Sequence, residues 1–472
     1  PNIYCCPLPA NAIPPRNHAH DKHMLFIIVQ KAFGRYYNAP KTGIMSFMRQ
    51  TLTTMLGKTV KKAAQIRGGS GSALPGLVIE KIDSDFVSRT LQQLPMGVAL
   101  ISGTNGKTTT TKIVVELLES QGLKVFTNRT GSNFTRGVAA ALLGEVDLHG
   151  RMDADIAVLE LDEAYAVHFV KAIKPNYCLL LNVMRDQLDR FGEIDNTAKL
   201  LHNVAINTTK CVVLNRDDPR LSSPDFVNDI KSPLRSFGVN PKYSQTFPSD
   251  DSLRSSEQNA AKLYADDTSL EKFKDQHAII AFGGNDHSID LNLRGIYNLQ
   301  NATGAVALVR AILGNSLNVD SMLEALSNIK PAFGRGEQLI IDGQPCELVL
   351  VKNPAGFRLA LASFDPANYA TMIAINDAYA DGRDMSWLWD VDFDSLQQQG
   401  VTAVSGVRAY DMALRLEYDE VPIDFVDTDL AVALRQLITK HTRQPKRIYC
   451  SYTAMLALRR LLARYTDVEE IR

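Results

Sequence analysis

The stretch "VALISGTNGKTTTTKIV" (residues 98–114) joins an apolar run to a segment of helical spacing through a short, glycine-containing loop. The general phosphate-binding pattern is G-x-x-x-x-G-K-[ST], whose first glycine would fall at position 101. Ile101 stands there instead, and Gly103 lies only three residues before Gly106. The loop still has the context that phosphate binding needs, a buried strand before it and a helix start after it. The stretch therefore predicts a phosphate-binding loop that departs from the general pattern.

Side chains in and near this loop have the chemistry of nucleotide binding. Lys107 would place a point charge on the β- and γ-phosphates, and Thr108 would offer a hydroxyl to Mg²⁺. A metal ion on a triphosphate also needs a carboxylate, commonly at the carboxyl end of another strand. The apolar run that ends at Glu160 meets this need, with Asp162 and Glu163 directly after it. Glu160 is the leading metal ligand, and an acidic loop facing solvent is the alternative.

Length and composition exclude several classes of protein. The chain has 472 residues, 45% hydrophobic and 22% charged, which is typical of a globular protein of two or three domains. A net charge of −1 offers no electrostatic basis for binding nucleic acid. No apolar run has the length of a membrane span, so we expect a cytoplasmic protein. The six cysteines form no C-x-x-C pair and thus predict neither a zinc ribbon nor a disulfide framework.

From residue 96 onward, short apolar runs alternate with segments of helical spacing. The first series of runs is "MGVALIS", "LKVFTN", "ADIAVLELD", "NYCLLLNV" and "KCVVLN". The second series is "QLIID", "CELVLV", "ATMIAIN", "VTAVSG" and "KRIYCS". Such alternation predicts α/β architecture with parallel strands, because each helix returns the chain to the same edge of the sheet. Helical patterns at 295–313 and near 320–328 mark the passage between the two series.

We therefore expect two α/β domains. The central domain would span residues 45–315, with an N-terminal helix and a doubly wound parallel sheet. A smaller α/β domain would span residues 316–472. Residues 1–44 lack clear periodicity and begin with Pro1 rather than Met, so we expect a disordered extension or an upstream start-site artefact.

The loop "SGTNGKTTTT" resembles the ATP loop of the Mur ligase superfamily, which also includes folylpolyglutamate synthase. Those enzymes use a compact G-T-x-G-K-[ST] form, which accounts for the missing first glycine. Later blocks narrow the resemblance to the MurT branch, the synthetase subunits of lipid II isoglutaminyl synthase. These blocks are "TNRTGSNFTRGVAAAL", "LELDEA", "NVMRDQLDRFGEID", "LNRDDP", "YNLQNATGAVAL", "PAFGRGE", "VKNPAGF", "INDAYADGRDMSWLWDVDF", "SGVRAYDMALRL" and "YTAMLALR".

This resemblance implies a P-loop ATPase domain of the Mur ligase type and a two-step amidation. ATP would phosphorylate the α-carboxylate of the D-glutamate in the lipid II stem peptide, and ammonia would displace phosphate to form D-isoglutamine. Ammonia in water at neutral pH is mostly ammonium, so it would come from a partner glutaminase, GatD. The enzyme would be a carbon–nitrogen ligase with glutamine as amide donor. It would act on lipid II at the inner face of the membrane.

The resemblance also assigns binding roles to individual residues. The positions that match the ATP loop are Gly103, Thr104, Asn105, Gly106, Lys107, Thr108 and Thr109. Asn298 and Asn301 match positions near the nucleotide base. Thr108 and Glu160 would hold Mg²⁺.

Three further residues are expected to act in catalysis. Lys107 would neutralise the transferred phosphoryl group. Arg335 matches an interdomain arginine that would reach the phosphates on domain closure. Asp384, in "DGRDMSW", would orient either the acyl phosphate or the partner's catalytic histidine, and Asp390 is the second choice for that role.

Departures from the family pattern bear on both zinc and reaction type. Many MurT proteins carry a four-cysteine zinc ribbon. The corresponding stretch here, about 211–277, is polar and loop-like and contains one cysteine, Cys211. No structural zinc is therefore expected. Gln187 replaces a histidine of the amino-acid-adding ligases, and Lys199 is off the register of their carbamylated lysine. An amino-acid-adding ligase and a non-catalytic nucleotide-binding subunit remain as alternatives. A catalytic role and a structural role also remain open for the aspartates of "RDQLDRFGE".

Overall fold

The computed structural model describes residues 43–66, 73–128, 135–185, 194–244, 246–247, 267–331 and 335–468. The helices, numbered in chain order, are α1 (Gly43–Ile66), α2 (Ala73–Ile82), α3 (Phe86–Leu91), α4 (Lys107–Glu119), α5 (Thr135–Glu145), α6 (Glu163–Ala172), α7 (Ile194–Asn207), α8 (Pro224–Val227), α9 (Ile296–Leu313), α10 (Val319–Asn328), α11 (Pro354–Ser363), α12 (Ala409–Tyr418), α13 (Leu430–Lys440) and α14 (Tyr452–Leu462).

The strands fall into two sheets, one in each half of the chain. In chain order they are β1 (Gly97–Ser102), β2 (Val125–Thr127), β3 (Ile156–Glu160), β4 (Tyr177–Leu180), β5 (Cys211–Asn215), β6 (Leu234–Val239), β7 (Thr268–Lys274), β8 (His277–Phe282), β9 (Asn285–Asp290), β10 (Arg335–Ile341), β11 (Gln344–Leu350), β12 (Ala370–Ala374), β13 (Ala403–Ser405), β14 (Val426–Asp427) and β15 (Lys446–Cys450).

The first sheet places β1 between two strands that come later in the chain. Its nine strands have the order β2-β3-β1-β4-β5-β6-β7-β8-β9. Neighbours are parallel from β2 to β7, and β7, β8 and β9 are antiparallel. The chain reaches β3 on one side of β1 and β4 on the other. The loop after β1 therefore lies at the switch point of the sheet, where ligands of open α/β sheets bind.

Both faces of this sheet are covered by helices. Ala99 and Ile101 of β1 pack into one core, together with residues of α4, α9 and α10. Val98 and Leu100, which point to the opposite face, pack with residues of α2, α3, α5, α6 and α7. Burial on both faces explains why β1 is apolar from Val98 to Ile101 rather than alternating. The predicted doubly wound sheet is confirmed.

The second sheet has six strands in the order β10-β11-β15-β12-β13-β14. The strands from β11 to β14 are parallel, and β10 is antiparallel at one edge. Residues of α11 and α12 pack on one face, and residues of α13 and α14 on the other. The predicted α/β fold of the C-terminal region is therefore confirmed.

The sequence patterns overlooked four strands of the first sheet and one of the second. β6 and β7 lie within the 211–277 stretch that was predicted to be polar and loop-like, so that prediction was wrong for these two strands. The outer half of β7 alternates between half-buried and exposed positions, and β9 is mostly exposed. Edge strands bury little apolar surface and carry a weak hydrophobic pattern. The central part of the predicted loop lies outside the described residues.

Helix α10 belongs to the layer that covers the first sheet. Ser321 donates a hydrogen bond to the carbonyl of Ser120 at 3.0 Å, and Asn318 and Gln121 exchange two more across the same contact. We therefore propose to divide the domains after α10 rather than at residue 315. Residues 1–42 of the expected N-terminal extension lie outside the described residues.

Within the described ranges, no helix combines the length and the apolar character that crossing a bilayer requires.

Candidate active site

The loop between β1 and α4 can form only because two of its residues are glycines. Gly103 has φ 134° and Gly106 has φ 89°, a backbone region that side chains disfavour. A Cβ on Gly103 would lie 3.0 Å from the backbone N and O of Asn182, and one on Gly106 would lie 2.3 Å from Oδ1 of Asn301. The loop is thus pressed between the end of β4 and helix α9.

Asn182, just after β4, holds the loop in place. Its carbonyl accepts from the N–H of Thr104 at 3.0 Å, and its Oδ1 accepts from the N–H of Asn105 at 2.8 Å. Its Nδ2 donates back to the carbonyl of Asn105 at 3.1 Å. The hydroxyl of Thr104 also accepts from the N–H of Met184 at 3.0 Å. These bonds fix the loop in one conformation before any ligand arrives.

Lys107, the first residue of α4, is almost completely buried. Its ammonium donates to the carbonyls of Gly103 at 2.6 Å and Thr104 at 3.3 Å. The same ammonium lies 3.4 Å from a carboxylate oxygen of Glu163 and 3.6 Å from one of Asp162. Burial raises the pKa of Glu163 to about 7, and the positive charge of Lys107 opposes that rise. The loop therefore holds a desolvated cation among carboxylates.

Thr108 and Glu160 form the arrangement expected for a magnesium site. The Thr108 hydroxyl donates to Oε1 of Glu160 at 2.7 Å. Asn128 fixes Glu160 through two backbone bonds, accepting from its N–H at 2.9 Å and donating to its carbonyl at 2.7 Å. One carboxylate and one hydroxyl are the hard oxygen donors that Mg²⁺ takes from protein when phosphates and waters complete its shell. The residues present fit the ion.

The C-terminal domain contacts the phosphate loop directly. The side-chain amides of Asn105 and Asn353 exchange two hydrogen bonds, at 3.2 Å and 2.9 Å. Asn353 is buried and also caps α11, accepting from the N–H of Gly356 at 2.8 Å. A residue of the loop is thus bonded to a helix start of the other domain.

The two asparagines expected near the nucleotide base lie close to the loop. Asn298 donates to the carbonyl of Arg294 at 2.6 Å, and Asn301 donates to Oδ1 of Asn298 at 3.2 Å. Both are buried in α9, and Asn301 faces the position of Gly106. Thr109 is buried in the first turn of α4.

Three sequence-derived residues cannot be placed. The side chain of Arg335 and all of Asp186 and Asp189 lie outside the described residues, although the backbone at 335 begins β10.

Asp384 and Asp390 lie at opposite ends of one short segment but have different surroundings. Asp384 is exposed and accepts from the N–H of Ser386 at 2.9 Å, and hydrogen bonds from Ser386 lower the pKa of its carboxyl. Asp390 instead pairs with Arg185 at 3.1 Å, and its carbonyl accepts from Arg358. Arg185 follows β4, so Asp390 is the aspartate that bridges the two domains.

Sequence reasoning overlooked several residues that build the site. Asn128, Asn182 and Asn353 come one, two and three positions after the ends of β2, β4 and β11, and each orients a neighbour through its side-chain amide. Their position shortly after a strand was the feature of the sequence that could have indicated a place in the site. Polar residues just past the carboxyl ends of parallel strands gather at the binding edge of the sheet.

The described residues thus bring together a compact glycine loop, a hydroxyl–carboxylate pair beside it and a second α/β domain bonded to that loop, an arrangement that fits a ligase of the Mur type. The family description "Mur ligase middle domain" matches residues 101–309, and "MurT ligase C-terminal" matches residues 350–455. In fold, the chain is similar to a MurF ligase from Thermotoga maritima, with a TM-score of 0.60, 17% identity, and coverage of 81% of this chain and 83% of that one.

Two relatives narrow the comparison from the Mur ligases in general to one group of them. Both are named lipid II isoglutaminyl synthase (glutamine-hydrolyzing) subunit MurT. The one from Streptococcus pneumoniae is 30% identical, over 87% of this chain and 97% of its own length. The one from Staphylococcus aureus strain COL is 28% identical, over 80% of this chain and 90% of its own length. The chain belongs to the MurT family and is a ligase of peptidoglycan biosynthesis.

Proposed function

We propose that this chain is the synthetase subunit of a lipid II isoglutaminyl synthase. It would use ATP to activate the α-carboxylate of D-glutamate in the lipid II stem peptide, and ammonia would convert the acyl phosphate to the amide of D-isoglutamine. The names of the two MurT relatives support the substrate and the product class.

The observation that carries the proposal is that Lys107 and Thr108, at the start of α4, lie beside the phosphate loop and that Thr108 is bonded to Glu160 at the end of β3. A carboxylate is a poor electrophile, and installing phosphate gives it a leaving group. That step requires cations beside the transferred phosphoryl group and little else from the protein. The buried ammonium of Lys107 and the hydroxyl–carboxylate pair at 2.7 Å supply these features.

Each group of the loop has a distinct task in this scheme. Gly103 and Gly106 allow the backbone to turn into the start of α4, where the helix dipole favours negative charge and backbone N–H groups would face phosphate oxygens. Lys107 would leave its carbonyl partners to contact the β- and γ-phosphates. Thr108 and Glu160 would hold Mg²⁺, which neutralises phosphate charge when bound. The related MurF structure from Thermotoga maritima was determined with ADP, which agrees with a nucleotide at this loop.

Asp384 would act at the step in which ammonia arrives. Its low pKa keeps the carboxylate charged, and its exposure leaves it open to a second molecule. It would orient the acyl phosphate or the catalytic histidine of the glutaminase. Asp390 is engaged by Arg185 and is the second choice.

A glutaminase partner has a suitable surface on the C-terminal domain. Tyr410, Leu414 and Tyr418 lie four residues apart on α12 and are all exposed, and Trp389 contacts the ring of Tyr418 edge-to-face at 5.6 Å. We call this group, with Tyr379 and Val407, the aromatic surface. Exposed aromatic clusters of this kind are typical of protein interfaces. Tyr379 and Trp389 of the aromatic surface lie, like Asp384, on the segment between β12 and β13, so a partner seated there would bring its ammonia toward Asp384.

Reconstitution tests this function. The full chain is combined with its glutaminase partner, lipid II, Mg²⁺, ATP and glutamine, and the stem peptide is analysed by mass spectrometry. We expect glutamine-dependent amidation of the D-glutamate with one ADP formed per amide. Extension of the peptide by an amino acid would point to the other Mur-type reaction, and nucleotide binding without any product would point to a non-catalytic subunit.

A further inference from the structure

The C-terminal domain brings a second lysine toward the phosphate loop. Lys352 immediately precedes Asn353, which is bonded to Asn105 of the loop through both ends of its amide. The backbone of Lys352 therefore lies one residue from a fixed contact with the loop. Lys352 is partly exposed, and its positive charge opposes the rise that burial causes in the pKa of Glu163, more weakly than the charge of Lys107 does.

Glu163 is the group that needs this charge. Its side chain is 3% exposed, and in the described conformation the ammonium of Lys107 lies 3.4 Å from it. A buried carboxylate without a cation is strongly unfavourable and takes up a proton instead. Asp162, 3.6 Å from the same ammonium, adds a second negative charge.

Nucleotide binding creates a conflict at this point. The role proposed for Lys107 requires its ammonium to contact phosphate, which draws it away from Glu163 and Asp162. The arriving phosphates also bring negative charge close to these carboxylates. A replacement cation would relieve both effects, because charge pairs in a desolvated site interact strongly.

We propose that Lys352 replaces Lys107 as the counter-ion of Glu163 when ATP binds. Lys352 comes from the C-terminal domain, so the exchange takes place only when that domain is seated on the loop. ATP binding and domain closure are thereby coupled through one carboxylate. Lys352 is a positioning residue in this scheme, since it frees Lys107 for phosphate. The inference rests on the proposed nucleotide role of Lys107.

A direct contact between Lys352 and phosphate is the competing explanation, and the two differ in what Glu163→Gln does. If Lys352 serves Glu163, neutralising that carboxylate removes the need for the lysine. If Lys352 contacts phosphate, loss of the lysine weakens nucleotide binding by the same factor whether residue 163 is Glu or Gln. A double-mutant cycle separates these cases.

The experiment uses the full chain with its partner and compares Lys352→Met, Lys352→Arg, Glu163→Gln and the Glu163→Gln/Lys352→Met double variant. The readouts are the affinity for a non-hydrolysable ATP analogue with Mg²⁺, measured by calorimetry, and kcat and KM for ATP. We expect Lys352→Met to weaken analogue binding by about tenfold, and Lys352→Arg to stay within about threefold of wild type. The double variant should stay within about threefold of Glu163→Gln alone. The proposal would be overturned if Lys352→Met weakened analogue binding as much in the Glu163→Gln background as it does in the wild type.

The dependence of analogue binding on pH gives an independent readout. Without Lys352, lowering the pH protonates Glu163 and removes the uncompensated charge. Analogue binding by Lys352→Met should therefore strengthen more steeply than analogue binding by wild type as the pH is lowered from about 8 to about 6. An equal pH profile for the two proteins would contradict the exchange. Analogue binding needs no lipid II, so this measurement tests the role of Lys352 independently of whether the complex amidates lipid II.

Discussion

The phosphate loop and the edge of the C-terminal domain differ in how much of their chemistry is complete within this chain. In and beside the loop, the charged groups have partners and are almost fully buried: Lys107 and Glu160 are each 6% exposed. On the C-terminal domain, Tyr379 is 69% and Tyr418 is 76% exposed, and Asp384 is exposed as well. The first region is enclosed by contacts within the chain, and the second presents a surface.

The two regions suit the two tasks of an amidating ligase, activation of the carboxylate and supply of ammonia. Activation of a carboxylate needs a dry, charged pocket, which one chain can build around a phosphate loop. Supply of ammonia needs a second active centre, and an exposed aromatic edge next to an unburied carboxylate suits its attachment. Variants in the two regions should therefore fail in different ways.

Loss of the loop cation should have the largest effect and spare the partner surface. Lys107→Ala is expected to lower amidation on the order of 1,000-fold, because the transferred phosphoryl group loses its positioned charge. Binding of the glutaminase, followed by size-exclusion chromatography, should be unchanged. Lys171→Ala, an exposed lysine of α6, is the matched control and should keep full activity. Amidation retained by Lys107→Ala would remove the loop from the mechanism.

Loss of the carboxylate of Glu160, which would hold Mg²⁺, should cause the second-largest loss of activity. Glu160→Gln keeps the size of the side chain but removes the charge that would hold Mg²⁺, so the rate should fall roughly 100-fold. The Mg²⁺ concentration for half-maximal rate should rise, and chelation should abolish turnover of both proteins. An unaltered Mg²⁺ requirement in Glu160→Gln would show that the ion is held elsewhere.

A variant at the exposed edge should lose activity in a way that depends on the nitrogen source. Asp384→Asn is expected to reduce glutamine-dependent amidation about tenfold or more. If Asp384 orients the partner's histidine, the variant should regain wild-type rates with ammonium chloride. If it orients the acyl phosphate, both nitrogen sources should fail equally. Asp390→Asn run in parallel decides between the two aspartates, since a greater loss there would reverse their order.

The smallest effect should be a stability change at Glu163. Its pKa of about 7 lies above the ordinary value of 4.5, so the native state holds this proton more tightly than the unfolded chain does. The stabilisation is full below pH 4.5 and is lost as the pH rises through 7. The difference in Tm between Glu163→Gln and wild type should therefore shift in favour of the variant by about 1–2 °C between acid and mildly alkaline pH. Glu324→Gln, at an exposed glutamate, should show no such trend.

The sequence predicted the parts of this molecule that depend on local pattern. The central residues of β1 and β3 are apolar because both faces are buried, and the compact loop follows from two glycines three residues apart. The strand β9 escaped notice because it lies at the open edge of the sheet and is mostly exposed. Local pattern therefore identified the fold, and it predicted the loop at the centre of the candidate site.

Contacts between distant segments could not be read in the same way. The bonds from Asn105 to Asn182 and to Asn353 span 77 and 248 positions in the sequence. The pairing of Arg185 with Asp390 spans 205. Nothing in the spacing of these residues indicates which partner each one meets, because the meeting depends on how two domains pack. The contact of Glu163 with Lys107, 56 positions away, was hidden for the same reason.

Transfer of oxygen from the carboxylate to phosphate shows whether ATP activates the carboxylate by phosphorylating it. Lipid II with ¹⁸O at both oxygens of the D-glutamate α-carboxylate is amidated by the complete complex, and the inorganic phosphate is analysed by mass spectrometry. One ¹⁸O atom should appear in phosphate for each amide formed, since the oxygen that bridges carbon and phosphorus in the acyl phosphate leaves with the phosphate. Amide formed together with unlabelled phosphate would contradict activation by phosphorylation.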